Sequence, residues 1–252
     1  MEANKLFLYF AFVVAGLIVG SFLNVVIYRV PRKKSIIKPP SFCPVCKKKI
    51  AFYDNVPLIS YAILKGKCRN CKSRISFIYP LVEFLTAILF LTNYAVFGLS
   101  AKAILGIILC STLIAVSFID INFRIIPNVI VLPFTVLGLA VNIISDVSSW
   151  WMPLVFSIGA FLFMLTIHLI YPAGMGMGDV KLSLMIGAFL VKNVVAALFL
   201  GFLAGSIFGL IFIAAKKKKL KQTIPFGPFI SIGSVIALFW GNFILKWYIS
   251  FY

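Results

Sequence analysis

The chain has 252 residues, 62% of them hydrophobic, a formal net charge of +18 and a mean hydropathy of +1.10. A soluble domain averages about 45–50% apolar, and repeated apolar runs of about 20 residues each reach across ~30 Å of hydrocarbon. A water-soluble enzyme is thereby excluded and an all-α polytopic membrane protein expected, and the placement of the positive charge in loops points to topology and anionic membrane lipid, with no nucleic-acid partner.

The first apolar run, Leu6 to Tyr28, is too long for the core of a secretory signal, and no small-residue cleavage site follows. It reads as an uncleaved first span. Further spans are predicted at about 78–98, 101–119, 127–145, 152–171, 180–191, 194–215 and 228–249, which gives about eight transmembrane helices. Alternation of sides groups the loops 29–77, 120–127, 172–181 and 216–227, and these hold 20 of the 24 Lys and Arg residues. The positive-inside rule makes that side cytoplasmic and places both termini outside. The predicted organisation is a first transmembrane helix (1–28), a cytoplasmic insert (29–77) and a membrane bundle (78–252). Gly16 and Gly20, and Gly201, Gly205 and Gly209, recur at four-residue spacing, as close helix packing requires. The run "KKKKLK" (216–221) reads as a solvated cytoplasmic loop.

The insert carries "CPVC" (Cys43, Cys46) and "CRNC" (Cys68, Cys71). Two such knuckles at this separation suit tetrahedral zinc, each curling its backbone to aim two sulfurs at one ion. Four thiolates leave no open coordination position, so the metal is expected to be structural. The alternatives are disulfides, disfavoured in a reducing cytoplasm, and a redox pair, which would need only one CxxC. Cys110 lies inside an apolar span and reads as a small core residue.

Six residues are acidic. Glu83, Asp120 and Asp179 fall at membrane depth, where charge is costly and tends to be functional or paired. A helix from Lys102 to Asp120 rises about 27 Å, and one from Asp179 to Lys192 only about 20 Å. Both aspartates then lie near the cytoplasmic interface at similar depth. Two close carboxylates cannot easily both ionise, so one can serve as acid while the other acts as base on a water. Gly174, Gly176 and Gly178 beside Asp179 allow close approach to an extended substrate or a positive φ. Lys181 is placed to pair with a carboxylate or with substrate. A proton-coupled transporter using the aspartates as a relay, and an ion pair of Asp120 with Arg124, stay open on the residues alone. His168, the only histidine, reads as a hydrogen-bonded core residue, and Glu83 as either a functional carboxylate or a paired, snorkelling one.

"GMGDVKL" (176–182) resembles the GxGD motif of the type IV prepilin peptidase family of membrane aspartyl proteases. "GSFLNVVIYRVP" (20–31), the two CxxC knuckles, "YPLVEFLTA" (79–87), "DINFRIIPN" (120–128) and "PFGPF" (225–229) are similar to that family's other segments, in the same order. The resemblance implies that Asp120 and Asp179 are the catalytic pair, with Gly176, Gly178 and Lys181 supporting the loop. It implies substrates of prepilin or pseudopilin type, cut after a Gly that follows a basic leader, at the cytoplasmic face of a bacterial inner membrane. Many members with the cysteine insert also N-methylate the new terminus from S-adenosylmethionine, so the resemblance implies that second activity here. No GxGxxG follows a strand here, and a loop of about 50 residues cannot hold a Rossmann-type domain. A methyl-transfer site would therefore be built from the insert and neighbouring helices, with Glu83 as its candidate.

Overall fold

The structure, a computed structural model, describes residues 2–172, 174–215 and 225–251; the 216–221 lysine run lies outside them. Among the described residues there are nine α-helices and no β-strand: α1 (Glu2–Arg29), α2 (Ile59–Ile63), α3 (Ile78–Phe97), α4 (Ala101–Phe123), α5 (Asn128–Ser145), α6 (Trp151–Ile170), α7 (Met177–Leu190), α8 (Val194–Ala214) and α9 (Gly227–Ile249). Seven stretches are long and apolar enough to cross a membrane. One of them, Met177–Phe212, holds both α7 and α8, which are joined by a single 3-10 turn at Val191–Asn193. The eight predicted spans thus correspond to the eight long helices, and α7 is short, as the spacing of Asp179 and Lys192 requires. Two compact units, Met1–Ala115 and Val116–Tyr252, share α4.

In the first unit α1 packs along α3. The approach is close because α1 presents glycines: a Cβ on Gly16 would lie 2.6 Å from the Ala87 Cα, and one on Gly20 2.7 Å from the Glu83 Cα. After α1, Arg29 turns its buried guanidinium onto the carbonyls of Ser35 (3.0 Å) and Pro39 (2.6 Å), fixing the entry into the insert. The insert is two copies of one knuckle. Isolated bridges pair Phe42 with Lys49 and Lys67 with Arg74. In each copy the residue after the second cysteine, Lys47 or Lys72, takes a left-handed φ of 59° or 58°. Its N–H then donates to the carbonyl of the first cysteine, at 2.8 and 3.0 Å respectively.

In the second unit α7 is the most buried element, lying against α5 and α6. Polar side chains lock it there. Ser157 of α6 donates to the Leu184 carbonyl (2.6 Å), Asn142 of α5 to the Ala188 carbonyl (2.9 Å), and Ser183 of α7 to the Ala160 carbonyl (3.2 Å). Between apolar helices such bonds spare backbone and side-chain polar groups from lipid. Helix α8 packs on α9. Cβ atoms on Gly201 and Gly205 would meet the Ile230 Cα and the Phe226 ring, each at 2.9 Å, as the spacing predicts. Gly209 departs from that expectation: among the described residues, a Cβ there meets nothing within 4 Å and no helix packs against it.

Candidate active site

Asp120 sits in the last turn of α4 and is 6% exposed. The chain then leaves the helix at Arg124, whose left-handed φ of 55° lets its N–H close on the Asp120 carbonyl at 2.8 Å. Left-handed backbone at the end of a helix is usually glycine. Arg124 also lies near enough to act electrostatically on the Asp120 carboxylate. Asp120 Oδ2 accepts the N–H of Gly227, the first residue of α9, at 3.1 Å. A helix N-terminus offers free N–H groups and a positive dipole end, and both favour a carboxylate. Residue 227 is glycine because a Cβ there would lie 2.8 Å from that same oxygen.

Asp179 occupies the first turn of α7 and is 7% exposed. Its N–H donates to the Gly176 carbonyl (3.0 Å), and its Oδ2 accepts the Gly176 N–H in return (3.2 Å). The carboxylate therefore caps its own helix. Its other oxygen, Oδ1, is buried without a hydrogen-bond partner among the described residues. Buried polar atoms are rarely left so, and an orphaned one at a site calls for a water or a ligand. Asp120 and Asp179 are close enough to interact electrostatically. The second unit thus brings together the two aspartates that the sequence singled out, each with Oδ2 held by a glycine amide.

The glycines do not use the positive-φ option. Gly176 has φ −77°, and the positive-φ glycines among the described residues are Gly66 and Gly98. Close approach explains Gly178 instead: a Cβ there would lie 2.8 Å from the Ile126 Cβ. Ile126 also reaches Gly227, where a Cβ would be 3.4 Å from its Cδ1. One isoleucine thereby separates the backbones that carry Asp179 and that hold Asp120. Lys181 Nζ donates to Asn128 Oδ1 at 3.1 Å, at the start of α5, so its partner is neither a carboxylate nor a charge. His168 is half-buried and its Nδ1 lies 2.7 Å from the Met175 carbonyl, which tethers the loop before Gly176. Ile126 and Gly227 escaped the sequence reading. Their signal, a motif such as "PFGPF" with no chemistry of its own, carries no physical reason until the fold supplies Asp120.

In the first unit the sulfurs of Cys43, Cys46, Cys68 and Cys71 all lie within 4.8 Å of one another, and Cys43 and Cys71 Sγ are 3.8 Å apart. Zinc–sulfur bonds of about 2.3 Å imply tetrahedral edges of ~3.8 Å, so the cluster fits zinc. None of the four is in a disulfide. The backbone N–H of Cys46 holds the Cys43 thiol down to about 6, and the Ser73 hydroxyl lowers that of Cys71. Both shifts favour the thiolates that a metal needs, whereas Cys46, lowered by the Lys48 amide but raised more by burial and the neighbouring thiols, is pushed up to about 11. Cys110, fully buried, accepts from Asn93 Nδ2 at 3.6 Å and stays a core residue. Glu83 is 8% exposed, and its Oε2 accepts the N–H of Leu58 at 2.9 Å. It is therefore turned inward against the insert rather than snorkelling.

Residues 14–97 match the bacterial peptidase A24 N-terminal domain, and residues 107–214 match the type IV leader peptidase family. The chain is 38% identical to a prepilin leader peptidase/N-methyltransferase of Bacillus subtilis, over 93% of this chain and 95% of that one. Proteins of the same name from Legionella pneumophila (34% identical, 97% and 96% covered) and Pseudomonas aeruginosa (33%, 95% and 92%) are similar along nearly their whole length. No solved structure gives a significant match. With both family matches in chain order and relatives of this similarity across almost the full sequence, the chain belongs to the type IV leader peptidase family.

Proposed function

We propose that the protein cleaves the basic leader from prepilin- or pseudopilin-type substrates after a Gly, at the cytoplasmic face of a bacterial inner membrane, with Asp120 and Asp179 as the catalytic pair. The observation that carries this reading is the unpartnered, buried Asp179 Oδ1 beside a second buried carboxylate. One carboxylate takes a proton from a water as that water attacks the scissile carbonyl. The other gives a proton to the departing amine nitrogen, so the pair ends with one proton, as it began. The Gly227 and Gly176 amides keep one oxygen of each carboxyl fixed, and Gly176, Gly178 and Lys181 support the loop that carries Asp179. The basic loops face the same side as the pair, where a basic leader remains while the apolar stem of the substrate stays in the bilayer. In this reading residues 78–252 form the peptidase bundle.

The relatives' names pair peptidase with N-methyltransferase, and we extend the second activity to this chain. S-adenosylmethionine, when bound, supplies the methyl group: the new amine nitrogen forms a C–N bond, the C–S bond leaves its electron pair on sulfur, and the amine releases a proton to solvent. Glu83 is the residue we assign to that activity, and zinc on the four cysteines is the structural metal of the insert.

Isosteric replacement tests the pair. Asp120→Asn and Asp179→Asn should each lower cleavage of a prepilin-like peptide by about 10²–10⁴-fold or more, since each removes an acid–base function. The purified chain and both variants would be followed by mass spectrometry of the products. Either variant cutting at the wild-type rate would remove its residue from the mechanism.

A further inference from the structure

The Gly176 N–H that holds Asp179 Oδ2 at 3.2 Å belongs to the peptide joining Met175 to Gly176. The oxygen of that same peptide, the Met175 carbonyl, lies 2.7 Å from His168 Nδ1. A peptide unit is a rigid plane whose C=O and N–H point in opposite directions. The two contacts therefore grip one plate at both ends. Two hydrogen bonds run in series from the imidazole, through a single amide, to the Asp179 carboxyl.

Chemistry fixes the direction of this chain. A carbonyl oxygen only accepts, so Nδ1 carries a proton and donates. The Gly176 N–H donates in turn, and Oδ2 accepts. A donor on the carbonyl draws charge toward its oxygen and makes the N–H at the other end a better donor, most strongly where surroundings are poorly polar. Met175 and Asp179 are both buried. The far end of the chain is well anchored, because His168 projects from the last turn of α6. Ser157 and Ser183 bind α6 to α7 through the Leu184 and Ala160 carbonyls. The connection between the helices is weaker. Gly174, where a Cβ would run into the Tyr171 ring, and Gly176 bring little conformational preference of their own. The orientation of the 175–176 peptide has to be imposed from outside, and His168 is the side chain that reaches it.

We propose that His168 is a positioning residue for Asp179: it donates from Nδ1 to the Met175 carbonyl, sets the Gly176 amide that holds Oδ2, and so orients Oδ1. The inference rests on the catalytic-pair reading above and adds a residue outside the aspartates and their glycines. Without the imidazole the peptide plane is free to turn, the Gly176 N–H leaves Oδ2, and the carboxyl rotates about its own bond. Substrate still binds, but a smaller fraction of it meets a correctly placed carboxyl. The loss belongs in kcat and not in KM.

Three replacements separate the donor from the ring. Asn carries its amide nitrogen at the δ position, as Nδ1 is; Gln carries it one bond further out; Phe keeps the ring's bulk without a donor. The full chain and the His168→Asn, His168→Gln and His168→Phe variants would be compared in detergent on a prepilin-like peptide. Hydrogen–deuterium exchange across residues 171–178 would be followed by mass spectrometry in the same preparations. His168→Asn should keep kcat within about threefold of wild type. His168→Gln and His168→Phe should lower it by about tenfold, with KM changed less than about twofold, as one lost orienting hydrogen bond predicts. Exchange across 171–178 should rise in the Gln and Phe variants and not in the Asn variant. Activity kept by Phe and lost by Asn would make His168 a packed ring and overturn the proposal. Equal loss in all three with unchanged exchange would make the imidazole an acid or base in its own right, which overturns it too. If wild type leaves the peptide uncut, or Asp179→Asn cuts it at the wild-type rate, the catalytic-pair reading fails, while the exchange pattern still decides whether His168 holds the loop. Should His168→Phe not fold, judged by its thermal transition, the contrast between Asn and Gln decides the case.

Discussion

One methyl group separates the roles of the two glycines that flank Met177. A Cβ on Gly176 meets Asp179 Oδ2 at 3.4 Å, an ordinary contact, whereas a Cβ on Gly178 would press into Ile126 at 2.8 Å. Ile126 has little room to retreat, since it already lies against Gly227, whose amide holds Asp120. Overpacking of this kind costs about 1–3 kcal/mol, and here the displaced atoms are those that set the carboxyl pair. Gly178→Ala should therefore lower kcat by at least about tenfold, and Gly176→Ala by about twofold or less; equal effects would show that Ile126 is not the constraint. The pair also fixes the shape of the pH profile. The proposed mechanism needs one carboxylate and one carboxylic acid, so kcat/KM should fall on the acid side as both become protonated and on the alkaline side as both ionise. A profile flat from pH 4 to 10 would rule out a shared proton. The aspartates were legible in the sequence because charge at membrane depth demands a reason. Ile126 and Gly227 were not, because their reason is a contact across about 50 and 100 positions of chain that no local pattern encodes.

At the scale of elements, span positions were readable to within a few residues: α3 runs Ile78–Phe97 against an expected 78–98, and α9 Gly227–Ile249 against 228–249. Apolar run length sets them. The break between α7 and α8, expected between the spans 180–191 and 194–215, falls in the Val191–Asn193 turn. Partner choice was less legible. Four-residue glycine spacing correctly marked α1, Gly201 and Gly205 but also Gly209, because spacing reports what a helix face permits and not whether another helix arrives. The polar clamps on α7 were invisible for the same reason: a serine or asparagine in an apolar run looks alike whether it bonds its own turn or a neighbour's carbonyl. Asn142 does both, reaching the Gly138 carbonyl at 3.1 Å and the Ala188 carbonyl at 2.9 Å. Interhelical bonds of this type contribute about 0.6 kcal/mol on average and up to ~1.7. Ser157→Ala and Asn142→Leu should each lower thermal stability in detergent within that range, and the double variant should also slow cleavage as α7 loosens around Asp179. Unchanged melting in both would mean that apolar packing alone seats the helix.

For the whole molecule, the proposed reading sets the two chemistries on separate stretches of chain. The aspartates and their glycines lie in Val116–Tyr252, while the cysteines, Glu83 and a cavity of about 380 Å³ lined by α1, the insert and α3 lie in Met1–Ala115. Cys43 and Cys68 contribute to the cavity wall, whereas Cys46 and Cys71 complete the metal cluster without lining it. In the proposed reading, zinc acts on the cavity at one remove. It fixes both knuckles, and with them the segment that ends at Leu58, the residue whose amide Glu83 holds. Structural zinc supplies folding free energy to small domains that bury little apolar surface, and the insert is such a domain, with Phe52, Ile59 and Ile63 all exposed. Cys46→Ser with Cys71→Ser should therefore remove bound zinc, as read by metal analysis, and abolish methylation of the cleaved product, although neither cysteine touches the cavity. Cleavage by the same preparation should persist within a few-fold, because no residue of the aspartate site belongs to that unit. Loss of cleavage in step with zinc would mean that the metal holds the whole molecule together. Methylation that survives the loss of zinc would mean that the insert keeps its working fold without the metal.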